Sequence, residues 1–210
     1  MARSSEIKST QLTRVGYAYQ DLMCISMLIK WFHDPEKYQW MSIEGNQEAS
    51  DVKSLDDVIC YTASGEYELY QVKFTTDSSR DDLTLDFEYL LKKKPNGTSL
   101  IQKWSYDLEK FGSSNVISIA KLITNRKPDA VLSSCFDGNK IDYSLVPDEI
   151  KARVVTQLGN EQKAIIFFEN LIFEHSQQEI DDLELQLQDS LVPDHANKGV
   201  RRIHKTKRPA

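Results

Sequence analysis

The chain is expected to fold as an α/β sandwich around a small mixed sheet. Three observations predict that class. A long segment with helical periodicity opens the chain, short strand-like runs cluster between Trp40 and Phe74, and one further run, Val116 to Thr124, is mostly apolar on both faces. A strand apolar on both faces belongs in a sheet covered by helices on each side. Neither GxGxxG nor GxxxxGK[ST] occurs, so dinucleotide-binding and P-loop folds lack their phosphate cradles.

Each element follows from local chemistry. Val15, Tyr19, Leu22, Met23 and Met27 recur at helical spacing from about Leu12 to Phe32, which gives an amphipathic helix. His33-Asp34-Pro35 ends it, because the residue before proline avoids helical geometry. Trp40–Ile43, Val58–Tyr61 and Glu68–Phe74 read as strands, the last two joined by Thr62-Ala63-Ser64-Gly65-Glu66, a polar loop of hairpin size. Asp77 to Asp82 is a charged loop. Helical spacing resumes at Leu83, Phe87, Leu90 and Leu91, breaks at Pro95-Asn96-Gly97, and returns from Leu100 to Phe111. After the Val116–Thr124 strand the remainder reads as helices: Pro147–Leu158, with proline at a favourable early position, then Glu161–Leu171 and Gln177–Leu191. Past Pro193 the tail is basic and without hydrophobic period, as a linker would be.

Bulk properties narrow the function classes. With 210 residues, 40% hydrophobic and 28% charged, the chain can bury one sizeable core. No apolar run reaches a membrane span of roughly 18 residues, and Met1 to Thr10 lacks a signal-like apolar stretch. A cytoplasmic protein is expected. Cys24, Cys60 and Cys135 form no CxxC pair and read as buried thiols in a reducing compartment, and the four histidines are scattered. The net charge of −6 does not exclude nucleic acid, because phosphate neutralisation needs local cations rather than a basic total. Lys92-Lys93-Lys94, Arg126-Lys127 and the tail from Lys198 to Arg208 supply such clusters, though any one of them is as readily a solvated surface.

One constellation carries chemistry. Gln71 and Lys73 lie two residues apart on a strand, so they project to the same face, and Asp57 begins the neighbouring strand. A carboxylate, an amide and an ammonium would converge at one edge of a sheet. Asp57 can ligate a hard cation such as Mg²⁺, the Gln71 amide and the backbone carbonyl of Val72 are further ligand candidates, and Lys73 can stabilise charge on a phosphorane. On spacing alone a plain solvated strand edge is the commoner origin of such a pattern, since D-x(n)-QxK is short and degenerate.

The runs Leu55-Asp56-Asp57-Val58-Ile59 and Leu69-Tyr70-Gln71-Val72-Lys73 resemble the split motif of PD-(D/E)XK nucleases, in the QxK variant of Mrr-type restriction enzymes. They are closer still to the double-stranded-DNA endonuclease domain at the amino termini of bacterial antiphage effectors, both SAVED-containing CBASS nucleases and antiviral STAND ATPases. Gly16-Tyr17-Ala18-Tyr19-Gln20 matches a G-x-x-Y-Q signature, Glu44-Gly45 precedes the Asp segment, and Thr124-Asn125-Arg126 closes the later strand in a TNR-like turn. The likeness covers about Gln11 to Arg126.

The resemblance implies a restriction-endonuclease-like core over residues 1–145, a helical C-terminal extension over 146–192, and a basic tail or linker over 193–210. It implies Asp57 as metal-binding residue, Lys73 as catalytic lysine and Gln71 at the (D/E) position, with Gln20 and Glu44 as accessory residues. Asp51 and Asp56 are nearby alternatives to Asp57. The neutral Gln71 departs from the standard motif and removes one acidic ligand. The implied activity is Mg²⁺-dependent (or Mn²⁺-dependent) hydrolysis of duplex DNA. Lys92–Lys94, Arg126 and Lys127 would contact phosphates without reading sequence. A homo-oligomer is expected, controlled by a sensor or ATPase domain downstream. A catalytically inactive module for nucleic-acid binding or oligomerisation, and an RNA-directed nuclease, are the alternatives.

Overall fold

The computed structural model describes residues 2–45, 49–76, 83–93 and 95–191, with side chains from Arg14 onward. The compact part runs to Gln177. It opens with α1 (Ala2–His33), whose C-terminal turn is closed by Asp34 donating its N–H to the Lys30 and Trp31 carbonyls at 3.1 and 3.0 Å. Three strands follow, β1 (Tyr38–Ile43), β2 (Val58–Thr62) and β3 (Tyr67–Lys73), each within a residue or two of its expected position. The β2–β3 hairpin forms at the anticipated loop. Gly65 sits there at φ +86°, a conformation that favours glycine, and its N–H donates to the Thr62 carbonyl at 3.1 Å.

Next come α2 (Phe87–Leu91), α3 (Leu100–Gly112) and β4 (Ile117–Thr124). Ser99 and Gln102 close a capping box that starts α3 after the Pro95-Asn96-Gly97 break. Short elements fill the next stretch: α4 (Ala130–Ser133), the two-residue strands β5 (Phe136–Asp137) and β6 (Lys140–Ile141), and a 3₁₀ turn at Tyr143–Leu145. Then follow α5 (Asp148–Leu158), α6 (Glu161–Asn170) and β7 (Leu171–Glu174).

The main sheet has the order β1-β2-β3-β4-β7, antiparallel from β1 to β3 and parallel from β3 to β7. This is the mixed sheet flanked by helices of a restriction-endonuclease-like fold. Strands β5, β6 and β7 depart from expectation, since only helices were read after Thr124, and β7 is the one that joins the main sheet. It completes the principal sheet beside β4.

The two faces of the sheet are built differently. Ile59, Leu69, Ala120 and Leu122 face α3, α5 and α6 and form one apolar core with Trp104, Phe167 and Phe168. The opposite face lies under α1. There the Tyr19 ring meets Phe74 at 4.7 Å and Trp31 meets Tyr38 at 6.0 Å, and Cys24 of α1 is buried, as are Val58, Cys60 and Tyr70 of the sheet.

The second unit, from Gln178, contains α7 (Ile180–Leu191), which begins with Asp181 and Asp182 in its first turn where the helix dipole favours them. The expected linker from 193, the 77–82 loop and Lys94 lie outside the described residues. No helix among the described residues is long and apolar enough to cross a membrane.

Candidate functional site

Strand register builds the site. Val58 pairs with Tyr70, which puts Asp57, one residue before β2, beside Gln71. Gln71 and Lys73 occupy alternate positions of β3 and share the core-side face with Leu69. The three predicted residues therefore meet. Asp57 Oδ2 accepts from the Val72 N–H at 2.7 Å and from Gln71 Nε2, and Lys73 Nζ lies 3.9 Å away. All three partners act on Oδ2. Among the described residues Oδ1 has no partner.

Burial sets the electrostatics. The Asp57 side chain is 17% exposed and that of Lys73 34%. Burial raises the Asp57 carboxyl, against the Lys73 charge and the Val72 N–H, with Asp56 adding to the rise. Burial lowers the Lys73 ammonium, against the pull of Asp57 and Asp56, and the Lys103 charge lowers it further. Both partners are thus pushed towards neutrality, as for a pair short of countercharge and solvent.

A second carboxylate lies at hand. Asp56 is half-buried and raised chiefly by burial, with the Lys73 charge opposing and Glu44 adding to the rise. Glu44 and Gly45 extend the β1–β2 ladder to this end: Glu44 N–H donates to the Asp57 carbonyl at 3.1 Å and Gly45 N–H to that of Asp56 at 3.0 Å. Glu44 does so at φ +56°, unusual for a non-glycine residue. Its carboxylate is exposed and close enough to act on both Asp56 and Cys24. Gln20 is buried on α1, one helical turn before Cys24.

The segment leading to Asp56 is fixed from α3. Asp107 is buried, and its Oδ2 accepts from the backbone N–H groups of Lys53 at 3.1 Å and Ser54 at 2.7 Å. Asp51 points elsewhere and pairs with Lys110 at 2.6 Å. On the far side, the TNR-like turn anchors the chain that leaves β3. Asn125 is fully buried and bridges Thr75, donating to its carbonyl at 2.7 Å and accepting its N–H at 2.8 Å. Arg126 donates to the Leu83 carbonyl at 2.6 Å and that of Thr84 at 3.3 Å, and lies 4.2 Å over the Tyr89 ring. The guanidinium expected on DNA is thus engaged within the chain. Lys92, Lys93 and Lys127 are exposed, and among the described residues none of them contacts Asp57, Gln71 or Lys73.

Spacing alone passed over Asp107 and Lys103, which sit in a helix pattern that reads as an ordinary amphipathic face. The one sequence signal was an Asp at a position the 3.6-residue period assigns to the core, three residues after Trp104.

Among curated proteins none matches the chain. A family model describing the double-stranded-DNA endonuclease domain of Cap4 matches residues 9–209, and the chain belongs to that family.

Proposed function

With membership of that endonuclease family as the premise, we propose that the chain hydrolyses phosphodiester bonds of duplex DNA at Asp57, Gln71 and Lys73. It does so with Mg²⁺ (or Mn²⁺ in its place) and little sequence preference, in the cytoplasm, as the effector part of a bacterial antiphage protein. One observation carries the reading: Asp57 and Lys73 meet at a half-buried strand end, with one carboxylate oxygen occupied and the other without a partner among the described residues.

The donor set suits an ion that needs few protein ligands. Among the described residues no three His, Cys, Asp or Glu side chains form a metal cluster, which disfavours a closed zinc site. Mg²⁺ keeps several waters and is commonly held by one or two carboxylates together with substrate phosphate. Asp57 Oδ1 would be its principal ligand, with Asp56, the Gln71 amide oxygen, the Val72 carbonyl or Glu44 completing the protein side. A divalent ion held there would supply Lewis acidity towards the scissile phosphate and a bound water. Lys73 is placed to donate to the phosphate oxygen on which charge develops. Gln71 holds Asp57 in place and costs no second negative charge, and the 53–55 backbone clamped by Asp107 keeps the Asp56-Asp57 pair at the strand end. Each centre cuts one strand, so a duplex break calls for two copies, whose assembly a downstream sensor or ATPase would govern.

The test is digestion of supercoiled plasmid with and without Mg²⁺, with single-stranded DNA and RNA in parallel. Wild type should linearise and then degrade the plasmid only with the metal, and Lys73→Ala should bind duplex without cutting it. Equal activity in EDTA, or cleavage confined to RNA, would refute the proposal.

A further inference from the structure

The α3 helix runs antiparallel to β3 across the core face, and its register against the strand can be read at two points. The Phe111 ring packs on Tyr67 at the start of β3, 4.8 Å between centroids, and Asp107 binds the 53–54 backbone beside the site. Going back from Phe111 to Lys103 covers about 12 Å at about 1.5 Å per residue. The same distance along β3 from Tyr67, at about 3.3 Å per residue, reaches the level of Gln71. Lys103 precedes Asp107 by four residues and projects from the same side of α3.

Lys103 is exposed, and among the described residues it has no carboxylate partner. The other lysine of α3, Lys110, is paired with Asp51 at 2.6 Å, and Lys163 from α6 is paired with Glu109 of α3. The register places Lys103 at the end of β3 that carries Gln71 and Lys73, on the side of α3 from which Asp107 reaches the 53–54 backbone. An exposed cation there is placed to meet the phosphate backbone of a strand seated at the site.

We propose that Lys103 is a DNA-backbone ligand, holding a phosphate next to the scissile one so that Lys73 and Lys103 together grip two consecutive positions of one strand. The inference rests on the reading of Asp57, Gln71 and Lys73 as the nuclease centre.

The test uses the full chain as wild type, Lys103→Gln and Lys103→Arg. Cleavage kinetics are measured with Mg²⁺, and anisotropy of a labelled duplex oligonucleotide is measured in EDTA over a range of NaCl. Lys103→Gln should raise KM and Kd about 3- to 10-fold with kcat nearly unchanged, and lower the slope of log K against log salt by about 0.9, one phosphate contact. Lys103→Arg should restore both. A wild type that cuts duplex, with Lys103→Gln matching it in KM and salt slope, overturns this inference alone. A wild type that neither binds nor cuts duplex overturns the parent reading and this one with it.

Discussion

Two carboxylates, one buried and one half-buried, hang from the β2–β3 hairpin, on opposite faces and near opposite ends of β3, and they are treated in opposite ways. Glu68 is 4% exposed and lies on the face under α1. Its Oε2 accepts from the Tyr38 and Tyr70 hydroxyls, both at 2.5 Å, and its Oε1 lies 3.6 Å from Lys37 Nζ. Both oxygens are engaged, and the two phenols are raised in pKa by burial and by the Glu68 bonds. Among the described residues Asp57 has its contacts on one oxygen, and it sits at a strand end and faces a lysine shifted the wrong way for a structural ion pair. A buried charge with both oxygens engaged is architecture. One left half-answered beside a lowered lysine is where a ligand and a reaction fit.

The sharpest way to break this contrast is Lys73→Ala, which should reduce plasmid cleavage by about 10²–10³-fold while leaving the melting temperature close to wild type. Asp107→Ala comes next. It strips the acceptor from Lys53 and Ser54 N–H groups, so it should cost about 1–3 kcal/mol in urea unfolding and also lower cleavage, because the Asp56-Asp57 segment loses its clamp. Tyr38→Phe removes one of the two hydroxyls on Glu68 and should cost about 1 kcal/mol with cleavage unchanged.

The smallest effect concerns two buried thiols, Cys24 of α1 and Cys60 of β2. Burial, reinforced by nearby carboxylates, pushes Cys24 and Cys60 up to about 12. Thiols of the unfolded chain ionise near 8.5, roughly, so above that pH the unfolded state releases protons that the native state retains. Stability should fall as pH rises from about 8.5 towards 12, and the Cys24→Ala/Cys60→Ala double variant should melt with a shallower decline between pH 8 and 10. Alkylation by iodoacetamide at pH 8 should stay slow at both positions until the protein is unfolded.

The convergence of Asp57, Gln71 and Lys73 was legible in the sequence because its information is local. Two side chains two apart on a strand must share a face, and a hairpin of that length must bring Asp57 alongside. The sequence did not disclose β7, because Leu171-Ile172-Phe173 continues the apolar pattern of α6 without a glycine or proline between, and a short apolar run fits helix and strand equally. The role of Arg126 was hidden for another reason. Basic character shows in sequence, but whether a guanidinium is free for phosphate depends on carbonyls at positions 83 and 84, some forty residues away. Lys103 was hidden in the same way, as its relation to Lys73 arises only once α3 crosses β3.

The contrast between the two carboxylates is tested most directly by comparing Asp57→Asn with Glu68→Gln, each shown to be folded by circular dichroism, in Mg²⁺-dependent plasmid cleavage. Asp57→Asn should be inactive at near-native stability, and Glu68→Gln should melt earlier yet cut at a rate close to wild type. A folded Asp57→Asn that still cuts, or a folded Glu68→Gln that does not, would contradict the assignment of chemistry to Asp57 and of architecture to Glu68.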